Sequence, residues 1–489
     1  MTSPIPAPVA ASLPTGVLID GEWRPASTGA TFPVADPATT QVLAEVADGD
    51  ERDAMAALDA ADRAFAEYRQ TAPRVRSDLL RAVYDAIVAH TDDIAAVITA
   101  EGGKPLAESR GEVAYAAEYV RWYSEQAVRL DGLARRAPAA AHHQLVLRRA
   151  VGPALLIAPW NFPIAMIARK VAPALAAGCT AVIKPAQLTP LTTAYVAEII
   201  RAELAARGLP AGTVNVVPSS SARKVSGPLL ADLRLRKLSF TGSTEVGRVL
   251  LKQSADNILR TSMELGGNAP FLVFEDADID AAVAGAVAAK MRNAGQTCVA
   301  ANRILVQRGV AEEFSEKLTA AFSALVVGHG ADAGVTVGPL IEPAAVDHVA
   351  GLVADAVDGG ASVRIGGDAP DRPGYFYAPT VLTGVAPDAR VVTEEIFGPV
   401  APVVTFGTEA EGVEMANASP YGLTAYAYTR DVSRALRLAE TIETGMLGIN
   451  RGMVSDATAP FGGVKQSGLG REGGEAGIEE YLESVYVAL

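Results

Sequence analysis

The chain has 489 residues, 49% of them hydrophobic and 20% charged, which is globular composition at a length that implies two or three domains. Its net charge of −14 and pI near 5.0 oppose association with phosphate backbones, so nucleic acid is not an expected partner. Two cysteines provide no disulfide framework and suit a reducing cytoplasm, and no run of about 18 apolar residues free of charge and proline marks a membrane span.

The opening stretch MTSPIPAPVAASLPTG carries no Lys or Arg before its weakly apolar part and is interrupted by prolines. It reads as a flexible lead-in rather than a signal peptide. Residues 50–130 read as helical: DERDAMAALDAADRAFAEYR places apolar residues at helical spacing, and the pattern resumes after a Gly-Gly-Lys-Pro break. From about residue 150 short apolar runs take over, ALLIAP, AVIKP, VNVVP, KLSF and PFLVF, with helical stretches between several of them. Alternation at this spacing predicts an α/β fold with a parallel sheet. Ligands of such sheets sit beyond the carboxyl ends of the strands, where the polar clusters APWNFP, KPAQLTP and FTGSTEVG lie. A second α/β stretch begins near 265 and runs to about 450. Residues 133–152, with a turn-like middle and an alternating end, and the terminal SVYVAL fit neither; a hairpin and a lone strand need partners, and they read as an oligomer-forming arm.

Several positions could carry chemistry. Cys179, in AAGCTAV, reads as a buried small hydrophobe. Cys298 follows Gly295, Gln296 and Thr297 in a segment rich in backbone N–H and poor in apolar cover, so it is either a nucleophile or another core cysteine. Asn161 opens a helix after a strand, with Pro163 suited to the first helical turn; it is either an oxyanion donor or a cap. Gly242 permits a tight turn and Ser243 or Thr244 can cap the next helix, whose N-terminus attracts phosphate; there is no G-x-G-x-x-G. Glu264 stands beside a Gly266-Gly267 pair that allows another backbone or a ligand to approach closely, and is either a general base or a solvated acid. Glu394, Glu395 and Phe397 form a similar punctuated cluster.

Together and in this order, PWNFP, KPA, FTGSTEVG, MELGGNAPFLVF, NAGQTC, EEIFGPV and PFGGVKQSGLGRE resemble the aldehyde dehydrogenase superfamily across residues 150–475. The resemblance implies a Rossmann-like cofactor domain (1–131 and 152–264), an α/β catalytic domain (265–466) and a β-arm for oligomerisation (132–151 and 467–489), assembled as a homodimer or homotetramer. It implies Cys298 as nucleophile, Glu264 as general base, and Asn161 with the Cys298 backbone N–H as oxyanion donors. It assigns NAD or NADP to Ile157, Trp160, Lys184, Gln187, Gly242, Ser243, Leu265, Glu395 and Phe397, and implies no metal. The chemistry it implies is thiolate addition to an aldehyde, hydride loss to the nicotinamide, and hydrolysis of the thioester by a water that Glu264 activates.

The closer resemblance is to succinate-semialdehyde dehydrogenases, carried by FTGSTEVGR, RNAGQTCVAANR, YGLTAYAYTRDVSRALR and SGLGREGGEAGIEEYLE. Such a substrate carries a carboxylate at its far end, and the pocket needs cations. The resemblance assigns that carboxylate to Arg169, Arg292 and Ser455; by themselves the two arginines read as surface charges. Glutarate semialdehyde is one methylene longer, a difference of only about 1–3 kcal/mol. A broad-specificity aldehyde dehydrogenase, a CoA-acylating relative and a catalytically retired scaffold are the further readings. Two departures matter. Gln187 stands where many relatives have Glu, which removes a repulsion toward a 2′-phosphate and points to NADP being accepted or preferred. Ala300 stands where some relatives have a second cysteine, so no thiol switch is expected beside Cys298.

Overall fold

The structure, a computed structural model, describes residues 5–139 and 142–489. Asp50 starts the helical region: its carboxylate accepts the N–H groups of Arg52 and Asp53, and Asp53 returns a bond to the Asp50 N–H, a reciprocal cap. Helices Glu51–Tyr68, Pro73–Ala89, Thr91–Gly102 and Leu106–Gln126 follow. The Gly-Gly-Lys-Pro break lies between the last two, with Gly103 at φ +79° and Pro105 ahead of the first residue of the longest helix.

The first of these packs on an eight-stranded sheet, and the other three pack on helices Pro163–Ala177 and Pro190–Ala206 that cross it and on one another. The centre of that sheet is five parallel strands in the spatial order Val214–Val216, Ala181–Lys184, Ala154–Ile157, Lys237–Thr241 and Arg260–Glu264. The chain winds outward first one way and then the other from Ala154–Ile157. That strand and Lys237–Thr241 therefore flank a topological switch point, where a crevice opens beyond their carboxyl ends. The four strands expected in this half are all present and all buried, as parallel strands covered on both faces must be. Arg260–Glu264 carries no apolar run and was not expected; only its Ser262–Glu264 end is buried.

The second sheet has seven strands in the order Ser362–Ile365, Thr380–Thr383, Val400–Phe406, Ala301–Gln307, Ala269–Val273, Thr424–Tyr428 and Met446–Ile449, all parallel save the first pair. Its core is separate from that of the first sheet. The third sheet joins the two segments that fitted neither half: His143–Ala150 is flanked by Leu133–Arg136 and by the terminal strand Leu482–Ala488. Part of the turn-like middle of that hairpin, residues 140–141, lies outside the described residues.

Two expectations need correction. The lead-in, of which residues 1–4 lie outside the described residues, contains helix Ala7–Ser12. Ile5 and Val9 are buried against Phe32, Val34 and Val46 of the neighbouring hairpin, so these few apolar side chains anchor it. And of the segment 467–489, Gly468–Leu469 pairs with Arg260–Glu264 and Gly474–Glu479 packs on Leu106–Gln126 and Pro163–Ala177, so only Leu482–Ala488 reaches the third sheet. No helix among the described residues is long and apolar enough to cross a membrane.

Candidate active site

A cavity of about 240 Å³ lies where the switch point of the first sheet faces the second. Its wall takes Trp160 and Asn161 from the turn after Ala154–Ile157, Gly242 and Ser243 from the turn after Lys237–Thr241, and Cys298 from the loop before Ala301–Gln307. Arg169, Arg292, Leu265, Glu395, Phe397 and Ser455 line it as well. Eleven positions singled out from sequence by residue type or resemblance thus share one wall.

Cys298 is half-buried and follows a turn that ordinary residues resist: Asn293, Ala294 and Gly295 all have positive φ, at +53°, +54° and +76°. Gly267 receives the returning backbone; a Cβ there would come within 2.5 Å of the Cys298 carbonyl oxygen. This is the close approach that the glycine pair foretold. Burial pushes the Cys298 thiol up to about 11, with Glu395 and Glu264 acting in the same sense and the arginines 169 and 292 opposing. The Cys298 N–H donates to no group among the described residues.

Asn161 does not cap the helix that follows; Phe162 holds the cap position and Pro163 the first helical one. The Asn161 Nδ2 donates to the Gln296 carbonyl at 3.1 Å, which ties it to the cysteine loop and leaves its second N–H for another acceptor. Glu264 is buried, not solvated. It does not line the cavity: its Oε1 lies against Gly462, and neither carboxylate oxygen has a hydrogen-bond partner. Burial, reinforced by Glu472, drives its carboxyl well above the usual range, against Arg169, Lys170 and Arg471.

Arg169 is fully buried and paired with Glu472, and its guanidinium lies 4.1 Å from the centre of the Phe461 ring. Burial works to lower its pKa, but Glu472 together with Tyr119, Tyr115 and Glu264 outweighs that and raises it. Its Nη1 and Nη2 remain without partners. The guanidinium of Arg292 lies 4.5 Å from the centre of the Phe162 ring, and its Nε is buried without a partner.

The crevice fits a dinucleotide. Ser243 caps helix Thr244–Ala255 through the Val246 N–H, so a helix N-terminus faces the crevice. Lys184 and Ile157 are register neighbours at the strand ends. Lys184 is buried with no ion pair among the described residues, and burial lowers its pKa to about 8. A lone buried cation beside the exposed Gln187 suits an anionic or hydroxylic ligand. On the far side the Gly267 N–H donates to Glu395, whose carboxyl burial lifts to about 7, and the Phe397 ring meets Trp160 edge-on. Ile157, Lys184 and Gln187 lie outside the cavity wall itself. Glu394 pairs with Arg390 and takes no part.

Sequence reading overlooked Tyr115, Phe461, Lys170 and Glu472. The last two form a fully buried pair, shared with Ser239. Their signal was present: Arg169-Lys170 interrupts a helix that is otherwise wholly apolar, and such charges need a buried partner.

Residues 23–487 match the model of the aldehyde dehydrogenase family. The chain is 56% identical to a succinate-semialdehyde dehydrogenase of Paenarthrobacter nicotinovorans, over 92% of its own length and 99% of the relative's. It is 48% identical to an NADP(+) succinate-semialdehyde dehydrogenase of Escherichia coli strain K12, over 96% and 97%. Identity to a glutarate-semialdehyde dehydrogenase of Pseudomonas putida is 47%, over 96% and 97%. Among solved structures, a succinate-semialdehyde dehydrogenase from Burkholderia pseudomallei superposes with a TM-score of 0.96 at 46% identity, covering 99% of each chain. Betaine aldehyde dehydrogenase from Staphylococcus aureus, in complex with NAD+, gives 0.94 at 34%, covering 98% of this chain and 95% of that one. A doubly wound sheet, a cysteine on a forced turn and a dinucleotide crevice, matched along nearly the whole length, place this chain in the aldehyde dehydrogenase family.

Proposed function

We propose that the chain oxidises an ω-carboxy semialdehyde, succinate semialdehyde foremost, to the dicarboxylate, with NADP or NAD as oxidant. The observation that carries this reading is a pair of guanidiniums, Arg169 and Arg292, with unpartnered N–H groups in the cavity that holds Cys298. An uncharged aldehyde has no use for them; a carboxylate at the far end does, and Ser455 adds a hydroxyl.

Cys298 adds as thiolate to the aldehyde carbon. The oxyanion is met by the free N–H of Asn161 and by the Cys298 N–H, each such donor being worth roughly 3–4 kcal/mol of barrier. The nicotinamide nucleotide supplies the hydride acceptor, held by Lys184, Gln187, Ser243, Glu395 and Phe397. Glu264, whose protonated form burial favours beside Gly462, gives up that proton as it turns out toward the thioester, and as a carboxylate takes a proton from the water that attacks the thioester carbon and displaces the Cys298 thiolate. Exposed Gln187 leaves room for the 2′-phosphate of NADP, in keeping with the NADP(+) relative. The glutarate-semialdehyde relative at 47% identity supports the one-methylene-longer substrate as the second reading. The three-stranded sheet is the assembly surface of a homodimer or homotetramer, and two free thiols suit a cytoplasmic setting.

Arg292→Ala tests the substrate class. KM for succinate semialdehyde rises at least about thirtyfold, the loss of a charge-assisted pair, while KM for butanal changes little. Equal effects on both aldehydes remove Arg292 from the carboxylate site.

A further inference from the structure

Helix Leu106–Gln126 carries two acids one turn apart, Glu108 and Glu112, and both reach across to the catalytic loops. Glu112 accepts the N–H groups of Ile164 and Ala165 at 3.1 and 3.2 Å and so caps, from outside, the helix that Asn161 precedes and that has no side-chain cap of its own. Its other oxygen pairs with buried Lys104, which donates to the Asn161 carbonyl at 2.7 Å and sits over the Phe162 ring. Glu108 accepts the Asn293 N–H at 2.7 Å. Asn293 is the first of the three left-handed residues that deliver Cys298, and its own side chain donates to the carbonyls of Asn161 and Gln296. One helix face thus grips the oxyanion turn with one carboxylate and the nucleophile turn with the other.

Glu108 does a second thing. A cavity of about 190 Å³ shares Tyr115, Phe162, Arg292 and Ser455 with the first, and Glu108 and Glu112 form part of its wall. Burial raises the Glu108 carboxyl, and the Asn293 N–H, Lys104 and Arg292 offset that only in part. Glu108 and Arg292 thus line one cavity without forming an ion pair with each other.

We infer that Glu108 is a positioning residue: it holds the left-handed turn at Asn293 that sets Cys298 against Asn161, and its charge tempers the attraction of Arg292 for the substrate carboxylate. A strained turn persists only where surrounding bonds over-determine it, and here the over-determining bond comes from a helix that carries neither reacting group. The second half rests on the proposed role of Arg292; the first does not.

The test compares Glu108→Ala and Glu108→Gln on butanal and on succinate semialdehyde. Glu108→Ala lowers kcat on butanal by about ten- to a hundredfold, the scale of a misplaced reacting group, and slows alkylation of Cys298 by iodoacetamide. Glu108→Gln keeps an acceptor for the Asn293 N–H and rescues both readouts. It also lowers KM for succinate semialdehyde without moving KM for butanal. Unchanged kcat on butanal in Glu108→Ala, whatever its melting temperature, overturns the positioning role; so does a loss that Glu108→Gln fails to rescue. An unchanged KM for the semialdehyde in Glu108→Gln overturns the tempering role. Arg292→Ala, run in parallel, separates the cases: if it treats both aldehydes alike, the substrate reading fails while the butanal results still judge the turn.

Discussion

At Cys298 the structure sets a chemical cost against a geometric gain. The thiol is pushed up to about 11 by burial, so without ligand only a small thiolate fraction exists near neutrality. Alkylation of the nucleotide-free protein should accelerate about tenfold per pH unit from 7 to 9.5, because the thiolate fraction grows in proportion to hydroxide below the pKa. A rate already flat above pH 7.5 would show that the arginines outweigh burial. Cys298→Ala should remove all of that labelling, since Cys179 is buried with its sulfur against the Tyr481 carbonyl. Gln187 is a second single-residue lever. Gln187→Glu places a carboxylate in the NADP half of the crevice and should lower kcat/KM with NADP relative to NAD by about tenfold or more, or roughly 1.4 kcal/mol; an unaltered ratio would locate cofactor choice elsewhere.

At the scale of elements, what was legible in the sequence had a local cause. Short buried runs followed by glycine or proline announced the parallel strands, and the polar clusters after them announced the crevice, because strand, turn and helix are consecutive in the chain. What escaped depends on partners far away in sequence. Arg260–Glu264 has a polar outer half and is a strand because Lys237–Thr241 and Gly468–Leu469 supply its ladders. Glu108 and Glu112 carried no signal in the sequence, because the N–H groups they serve belong to residues 293, 164 and 165. The neighbours of Glu264 in sequence left it open between general base and solvated acid, and its burial involves Gly462 and Glu472, roughly two hundred positions on. Most of the site residues carried over by resemblance line one cavity, Ile157, Lys184, Gln187 and Glu264 lie outside its wall, and their individual roles rest on the variants described above.

At the scale of the molecule, the middle strand of the third sheet pairs in register with Leu482–Ala488 from Gln144 to Ala150. Deleting residues 482–489 uncovers that edge of His143–Ala150, and the expected outcome is a smaller species in light scattering together with a tendency to aggregate. An unchanged mass would move the assembly surface elsewhere. Leu482–Ala488 is also the end of a longer course. Ser455 and Phe461 border the Cys298 cavity, Glu472 pairs with Arg169, the Tyr481 carbonyl lies against the Cys179 sulfur, and the next residue enters the third sheet. A protease that cuts once between 470 and 481 would leave both large sheets covalently intact and yet sever the span between the Cys298 cavity and the terminal strand. Activity in limited digestion should therefore vanish with the first clip in this span, before the bulk of the fold has begun to melt.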